Sequence, residues 1–175
     1  MFPAWGNGSE SLLPMHALEV IHASASGIQA PKRLGFEVQE QELLPPVSTN
    51  YPITSGYTEG VRDIPELKIS RPHRAIDIGT PVGTPIKSPA NGTVTFAGNT
   101  KWGLNVRISH DYYGGTFETS YLHLSRIQTN IRLGVQVSRG QIIGYTGVWG
   151  TGPHLHLRVR LNGYVYNPTY FFSYQ

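Results

Sequence analysis

The sequence predicts a mainly β protein, built on an antiparallel sheet and preceded by a short N-terminal arm. Its 20 Gly and 13 Pro residues make up 33 of 175, whereas charged residues reach only 14 %, against a usual share of about 25 %. Ten Tyr, six Phe and three Trp are too many for a disordered chain. After Pro46 the apolar residues occur in short runs that Gly, Asn and Pro interrupt, which is typical of strands and turns rather than of helices.

The N-terminal arm is predicted to cover residues 1–46, and the β domain residues 47–175. Weak helical spacing of apolar residues runs through residues 12–26. Pro45 and Pro46 mark the boundary, because two consecutive prolines continue neither a helix nor a central strand. The first residues show no basic segment followed by an apolar one, so no secretory signal is predicted.

Five strands are predicted in the β domain. Asn91-Gly92 and Gly114-Gly115 are turn pairs, and the second suits a tight hairpin because Gly accepts positive φ. Gly or Pro recurs too often here for helices of ordinary length. In chain order the predicted strands are Thr93–Ala97, Leu104–Ser109, Thr116–Leu124, Gln141–Tyr145 and Leu155–Leu161.

The composition also excludes several classes of site and partner. The chain has no Cys, so disulfides, thiolate metal sites and Cys nucleophiles are excluded, and a metal would be held by His and carboxylates. The formal net charge of +3 comes without a dense Lys/Arg cluster, which argues against nucleic acid and leaves open attraction to an anionic polymer. No apolar run approaches the ~18 residues of a membrane span, so no membrane insertion is predicted.

Histidines provide the candidate site. His154 and His156 lie two residues apart in the last predicted strand, so both imidazoles point to one face while Leu155 points to the core. His73 and Asp77 lie four residues apart, just before a turn rich in Pro and Gly. Two His and one Asp from separate strands supply three ligands and leave the fourth tetrahedral position to water, a set that suits zinc.

Such a site favours hydrolytic chemistry. Two neutral imidazoles and one carboxylate leave a zinc site with a net charge near +1, which lowers the pKa of a bound water towards ~7. The sequence lacks the HExxH motif, which would place a Glu base beside the metal. The remaining histidines are therefore the candidates for proton transfer.

Five segments are similar, in sequence and in order, to one enzyme family. They are ITSGY (Ile53–Tyr57), HRAIDIGTPVGTPIKSPANGTV (His73–Val94), YLHLS (Tyr121–Ser125), VSRGQIIGYTG (Val137–Gly147) and TGPHLHLRV (Thr151–Val159). Together they resemble the lysostaphin/LytM-type zinc endopeptidases of peptidoglycan. The resemblance implies the fold of that family, an antiparallel sheet with a substrate groove, known as a duplicated hybrid motif.

The resemblance gives roles to five residues of this sequence, all of which are present. It implies that His73, Asp77 and His156 bind one Zn²⁺ per chain, and that His123 and His154 act as the catalytic pair. Which of these two histidines is the general base stays open at this point. An intact set favours an active enzyme over a family member that only recruits or activates another protein.

The implied activity is zinc-dependent hydrolysis of peptide bonds in the stem peptides or cross-bridges of bacterial peptidoglycan, in cell-wall lysis or remodelling. The protein would act on the wall from the periplasm or the exterior, or be delivered by a phage as an endolysin or virion-associated enzyme. Two alternatives stay open: a non-hydrolytic cell-wall or virion module that binds glycopeptide, and an enzyme that cuts a different bond, such as an amidase. The arm offers a surface for an assembly partner.

Four further residues are candidates for substrate binding. Tyr57, Tyr121 and Trp149 have rings that can contact glycan or peptide, although core packing is the simpler interpretation of each. Arg158 stands where the family often has an acidic residue. By strand parity it shares the face of the histidines and can reach a substrate carboxylate, the alternative being an exposed Arg that points to water. His110 is interpreted as a structural residue.

Overall fold

A computed structural model describes residues 42–64, 69–112 and 115–174 of the protein. Within these ranges the chain forms twelve strands and one short 3₁₀ turn, Pro168–Tyr170. No helix in this part of the chain is long and apolar enough to cross a membrane. The strands are β1 (Ile53–Ser55), β2 (Thr58–Ile64), β3 (Ile69–His73), β4 (Ile76–Ile78), β5 (Pro85–Lys87), β6 (Gly92–Thr100), β7 (Gly103–Tyr112), β8 (Gly115–Ile127), β9 (Gln136–Val137), β10 (Ile142–Trp149), β11 (Gly152–Leu161) and β12 (Tyr164–Tyr166).

Ten of these strands form one sheet, and β2 pairs with β3 in a separate ribbon. The order across the sheet is β1-β4-β11-β10-β8-β7-β6-β9, with β5 beside β10, β12 beside β11, and a further pairing of β11 with β8. The predicted mainly β, antiparallel fold is confirmed, and each predicted strand overlaps an observed one. Tyr112 pairs with Gly115, so a hairpin joins β7 and β8 as predicted, but Gly115, expected in the turn, is the first residue of β8. Residues 113–114 lie outside the described ranges.

Alternate residues of the long strands form the core. In β11, Leu155, Leu157 and Val159 have no exposed surface, and burying a side chain of this size contributes about 1.5–3 kcal/mol. The structure corrects the expectation that Tyr121 contacts substrate. Its side chain has 0 % exposure, and its hydroxyl donates to Thr119 Oγ1 at 2.8 Å. Tyr121 is therefore a core residue.

The β domain begins before the expected boundary at residue 47. The main-chain N–H of Leu44 donates to the carbonyl of Pro89 at 2.9 Å, so this segment is already part of the domain. At the other end, the hydroxyl of Tyr174 donates to Val47 O at 3.0 Å and accepts from Val47 N–H at 3.2 Å. Residues 1–41, including the weak helical spacing predicted at 12–26, lie outside the described residues.

His110 is a buried polar residue with two hydrogen bonds. Its exposure is 1 %, its Nδ1–H donates to Asn91 O at 2.9 Å, and its Nε2 accepts from the hydroxyl of Thr119 at 2.8 Å. Burial lowers the pKa of His110 below its usual 6.5, although hydrogen bonding to the backbone opposes this shift. The neutral imidazole therefore has a structural role in this part of the sheet.

The buried His110 predicts a loss of stability in acid. Below pH 6.5 the unfolded chain protonates this histidine while the folded chain does not, so the free energy of unfolding falls as the pH falls towards the folded-state pKa. The loss is about 1.4 kcal/mol per unit by which the pKa is depressed. Urea unfolding between about pH 7.5 and 5.5 should show a smaller loss in His110→Gln than in the wild type, and equal losses would contradict the prediction.

Candidate metal centre and histidine cluster

Pairing of β4 with β11 brings a carboxylate and an imidazole together. Asp77 is the Cα partner of His156, and directly opposed residues on paired strands lie on one face with Cβ atoms about 4.5–5.5 Å apart. Ile76 and Ile78, on either side of Asp77, have 1 % and 0 % exposure, and their burial determines which face the carboxylate takes. His73 ends β3 four residues before Asp77 and reaches the same place.

Three donor atoms converge here. His73 Nε2 lies 3.1 Å from Asp77 Oδ1, His156 Nδ1 lies 2.8 Å from the same oxygen, and the two nitrogens are 3.3 Å apart. Tetrahedral Zn²⁺ with bonds of about 2.0–2.1 Å holds its ligand atoms about 3.3 Å apart, so the donors and their spacing fit zinc. Elsewhere in the described ranges, no other three His, Cys, Asp or Glu side chains converge in this way.

The protonation states of these residues also suit a cation. Burial opposes ionisation of Asp77, but hydrogen bonds with His156 and His73 outweigh it and hold the pKa of the carboxyl far below its usual range. Burial lowers the pKa of His156, although Asp77 acts in the opposite direction. The site thus favours an ionised carboxylate and a neutral imidazole, the forms that metal binding requires.

Backbone carbonyls orient the imidazoles of His73 and His154. His73 Nδ1–H donates to Gly56 O at 2.8 Å, which directs Nε2 towards Asp77. His154 Nδ1–H donates to Gly152 O at 2.9 Å, and its Nε2 lies 3.8 Å from Asp77 Oδ1. An acceptor on one ring nitrogen fixes the tautomer and the ring orientation, and so leaves the other nitrogen available for binding.

A β-bulge turns His123 towards the other histidines. Leu104 pairs with Leu124 and Val106 with Tyr121, so two steps along β7 match three steps along β8. His123 lies in the longer segment with a φ of 65°, a left-handed conformation that is uncommon for residues other than Gly. A bulge of this kind redirects a side chain, and here it takes His123 out of the core alternation that continues on either side.

His123 is held by two tryptophans. Its Nδ1–H donates to Trp102 O at 2.9 Å, and its ring stacks on that of Trp149, with centroids 5.0 Å apart and planes within 5°. Its centroid lies 5.1 Å from that of His154 and 5.3 Å from that of His156. Burial, with a further contribution from His156, lowers the pKa of His123 to about 4, so this imidazole is neutral at neutral pH.

The tight hairpin between β10 and β11 positions Trp149. Trp149 pairs with Gly152, and Gly147 pairs with His154, so Trp149 lies on the same face as His154. Gly147 allows β10 to approach the bulge closely, because a Cβ at this position would lie 2.5 Å from His123 O. The hairpin and the bulge therefore fit together only with glycine at residue 147.

Residues 71–168, more than half of the chain, match the family model described as peptidase family M23. The chain belongs to peptidase family M23. The matched range contains all five residues that converge in the cluster, His73, Asp77, His123, His154 and His156. The resemblance to the LytM/lysostaphin-type peptidases is thereby confirmed.

Several known proteins are similar to this chain. The peptidoglycan DD-endopeptidase ShyA of Vibrio cholerae is 39 % identical over 121 residues, which are 67 % of this chain and 27 % of that protein. The crystal structure of a zinc-containing peptidase from Vibrio cholerae has a TM-score of 0.62 at 33 % identity, covering 73 % of this chain and 39 % of the other. The catalytic domain of lysostaphin from Staphylococcus simulans has a TM-score of 0.56 at 29 % identity, covering 69 % and 90 %. The chain spans about a quarter of the length of the curated relatives it matches.

The structure brings the predicted metal and catalytic residues together, and the substrate-binding candidates differ in their environments. Trp149 lies against His123, whereas Tyr57 is half-buried and its hydroxyl donates to Glu59 at 3.2 Å. Arg158 is half-buried two residues beyond the last histidine of β11. Sequence analysis did not find the carbonyls that orient the imidazoles, because every residue carries a carbonyl and only strand register shows which ones are close.

We expect one zinc ion per chain, bound by the three converging donors. His156→Ala removes a donor and should weaken zinc binding by more than the ~10–100-fold that loss of a supporting partner costs. His154→Ala is the matched control, because it removes an imidazole from the same strand face and leaves the three donors in place. Zinc content after dialysis and competition titration with a chelator measure both. Wild-type affinity in His156→Ala, or an equal loss in His154→Ala, would show that the donors are assigned wrongly.

Proposed function

We propose that this chain is a zinc-dependent endopeptidase that hydrolyses peptide bonds in bacterial peptidoglycan. One observation carries the proposal: the donors His73, Asp77 and His156 converge beside two further imidazoles, those of His123 and His154. The three donors would hold a cation and the pair would transfer protons. Metal-assisted hydrolysis of an amide uses both functions.

The hydrogen bonds of His123 and His154 support proton transfer at Nε2. In both residues Nδ1 donates to a backbone carbonyl, so the neutral ring carries a lone pair and no proton at Nε2. One imidazole accepts the proton of the attacking water as the C–O bond forms. It then delivers this proton to the leaving amine as the C–N bond breaks. The other ring, when protonated, stabilises the oxyanion.

The bound zinc ion would supply Lewis-acid polarisation of the scissile carbonyl. The chain's own contribution is to keep the acceptor nitrogens in place before substrate arrives. His123 is fixed by a carbonyl, a stacked ring and the bulge, so it loses little conformational freedom on binding, and such preorganisation lowers the barrier to reaction. A module that only binds glycopeptide needs no pair of oriented imidazoles.

Peptidoglycan is supported as substrate by the similar proteins. The relative with 39 % identity is named a peptidoglycan DD-endopeptidase, which favours the peptide cross-links between stems over other bonds. With this substrate, the protein would act at the cell wall. A phage or virion-associated role, and an assembly partner for the arm, stay predictions.

Digestion of purified peptidoglycan tests the proposal. Zinc-loaded wild type should release cross-link cleavage products from walls with direct stem cross-links, and chelation should abolish release. His154→Ala should keep its zinc yet lose about 10²–10⁴-fold in rate, the usual contribution of an acid–base residue. Mass spectrometry of the products identifies the bond.

Three results would count against the proposed function. Fragments cut between glycan and stem would indicate an amidase. No fragments from any wall, with zinc bound, would favour the binding module. Full activity in His154→Ala would contradict proton transfer by the imidazole pair.

Trp149 is expected to affect turnover through His123. Trp149→Ala removes the ring stacked on the imidazole and should lower kcat by about 10–100-fold, because small displacements of a reacting group are costly. Trp149→Phe keeps a stacking ring and should retain most of the activity.

Trp102→Phe is the control, since the carbonyl that holds His123 belongs to the backbone and stays in place. Zinc content should be unchanged in all three. Equal losses in Trp102→Phe and Trp149→Ala would refute the positioning role.

A further inference from the structure

Arginines continue the face of the sheet that carries the histidines. Arg158 follows His156 by two residues on β11, so both side chains lie on one face. The Cα partner of Arg158 on β8 is Ser120, and the partner of Ser120 on β7 is Arg107. Arg158 on β11 and Arg107 on β7 therefore lie on either side of Ser120 on β8.

Two further arginines extend this row. Arg160 lies two residues beyond Arg158 on the same strand, and Arg74 lies between β3 and β4. Burial lowers the pKa of Arg158, the positive charges of Arg160, Arg107 and Arg74 lower it further, and the carboxylate of Glu118 opposes them. Four cations against one carboxylate leave this row, hereafter the arginine row, with an excess of positive charge.

The arginine row is accessible from solvent. Arg74 and Arg107 are exposed, and Arg158 and Arg160 are half-buried. The guanidinium of Arg107 lies 5.4 Å from the centroid of the Phe96 ring, a contact that supports the side chain from one side without consuming its hydrogen-bond donors. Its donors are therefore available to a ligand.

The protein does not neutralise the arginine row by itself. Arg160 Nη1 lies 3.4 Å from Glu118 Oε1, but within the described ranges Arg158 forms no ion pair closer than 4.0 Å. The Nε atoms of Arg158 and Arg160 are buried without a hydrogen-bond partner among these residues. Buried charged donors normally have a partner. Because these two atoms are enclosed, an anion would bind the outer nitrogens of the guanidinium groups and compensate the charge from there.

We propose that Arg158, with Arg107, Arg74 and Arg160 around it, binds a carboxylate group of the peptide substrate. This inference rests on the proposed endopeptidase function and makes it more specific: the chain would select stem peptides whose carboxyl groups are free over those in which they are amidated. A guanidinium group matches a carboxylate with two parallel hydrogen bonds. An amide lacks the charge and offers one acceptor oxygen in place of two.

The position of Arg158 indicates which carboxylate it would bind. Residues advance by about 3.3 Å along an extended chain, so Arg158 lies about 7 Å and Arg160 about 13 Å beyond His156 on β11. A peptide that extends along this strand would bring to Arg158 a carboxylate about two residues from the bond at the metal donors.

Binding of an uncross-linked stem tetrapeptide tests the inference without relying on catalysis. One form carries free carboxyl groups and the other has them amidated, and calorimetry on the zinc-loaded full chain gives Kd for each. The free form should bind wild type about tenfold or more tightly than the amidated form, as expected for a charge-assisted hydrogen-bonded pair. In Arg158→Gln the ratio should fall below about twofold, and Arg158→Lys should give an intermediate ratio.

Arg132→Gln is the matched control. Arg132 is exposed in the segment between β8 and β9, so this variant loses the same charge outside the arginine row and should keep the wild-type ratio. Should Arg158→Gln fail to fold, Arg107→Gln at an exposed position gives the second measurement, with a reduced ratio expected.

Three results would overturn the inference: equal binding of both peptides by wild type, no binding of the free form, or an unchanged ratio in Arg158→Gln. The last result would assign the carboxylate to the zinc ion instead. The digestion experiment is independent of these measurements. If the protein binds the two peptides with the expected ratio but cleaves no peptidoglycan, the carboxylate subsite is supported and the endopeptidase function is contradicted.

Discussion

The register between β4 and β11 is the constraint on which the site depends. It places Asp77 opposite His156, while Ile76 and Ile78 fill the core. A shift of one residue would turn every side chain of β4 to the other face, exposing both isoleucines and burying an ionised carboxylate. Hydrophobic burial therefore holds Asp77 and His156 opposite each other, and the hydrogen bond from His73 Nδ1–H to Gly56 O directs the third donor towards them.

The site also depends on a local departure from regular strand structure, the β-bulge in β8. Strict alternation along β8 would direct His123 into the core, and the bulge prevents this at the cost of a left-handed residue. Such strain persists where the surrounding structure determines it. Here the carbonyl of Trp102, the ring of Trp149 and the absence of a side chain at Gly147 provide that support.

The same bulge explains what could be predicted from sequence and what could not. His154 and His156 follow the period of a regular strand, so their shared face and the convergence of His156 with His73 and Asp77 were predictable. His123 and Tyr121 are also two residues apart, which in a regular strand would place both on the same face. The extra residue in β8 separates them and leaves Tyr121 in the core. Only the pairing of β8 with its neighbours shows this, because the letters YLHLS do not distinguish a bulged from a regular strand.

The hydrogen bonds between Tyr174 and Val47 bear on how this domain combines with other segments. They join a residue that precedes the first strand to one that follows the last strand, so segments attached on either side of the domain leave it close to one another. Neighbouring ends of this kind let a domain be inserted or exchanged without a change in its internal contacts. A peptidase unit with this closure can be recombined as one module among longer proteins of different architecture while its donors keep their register.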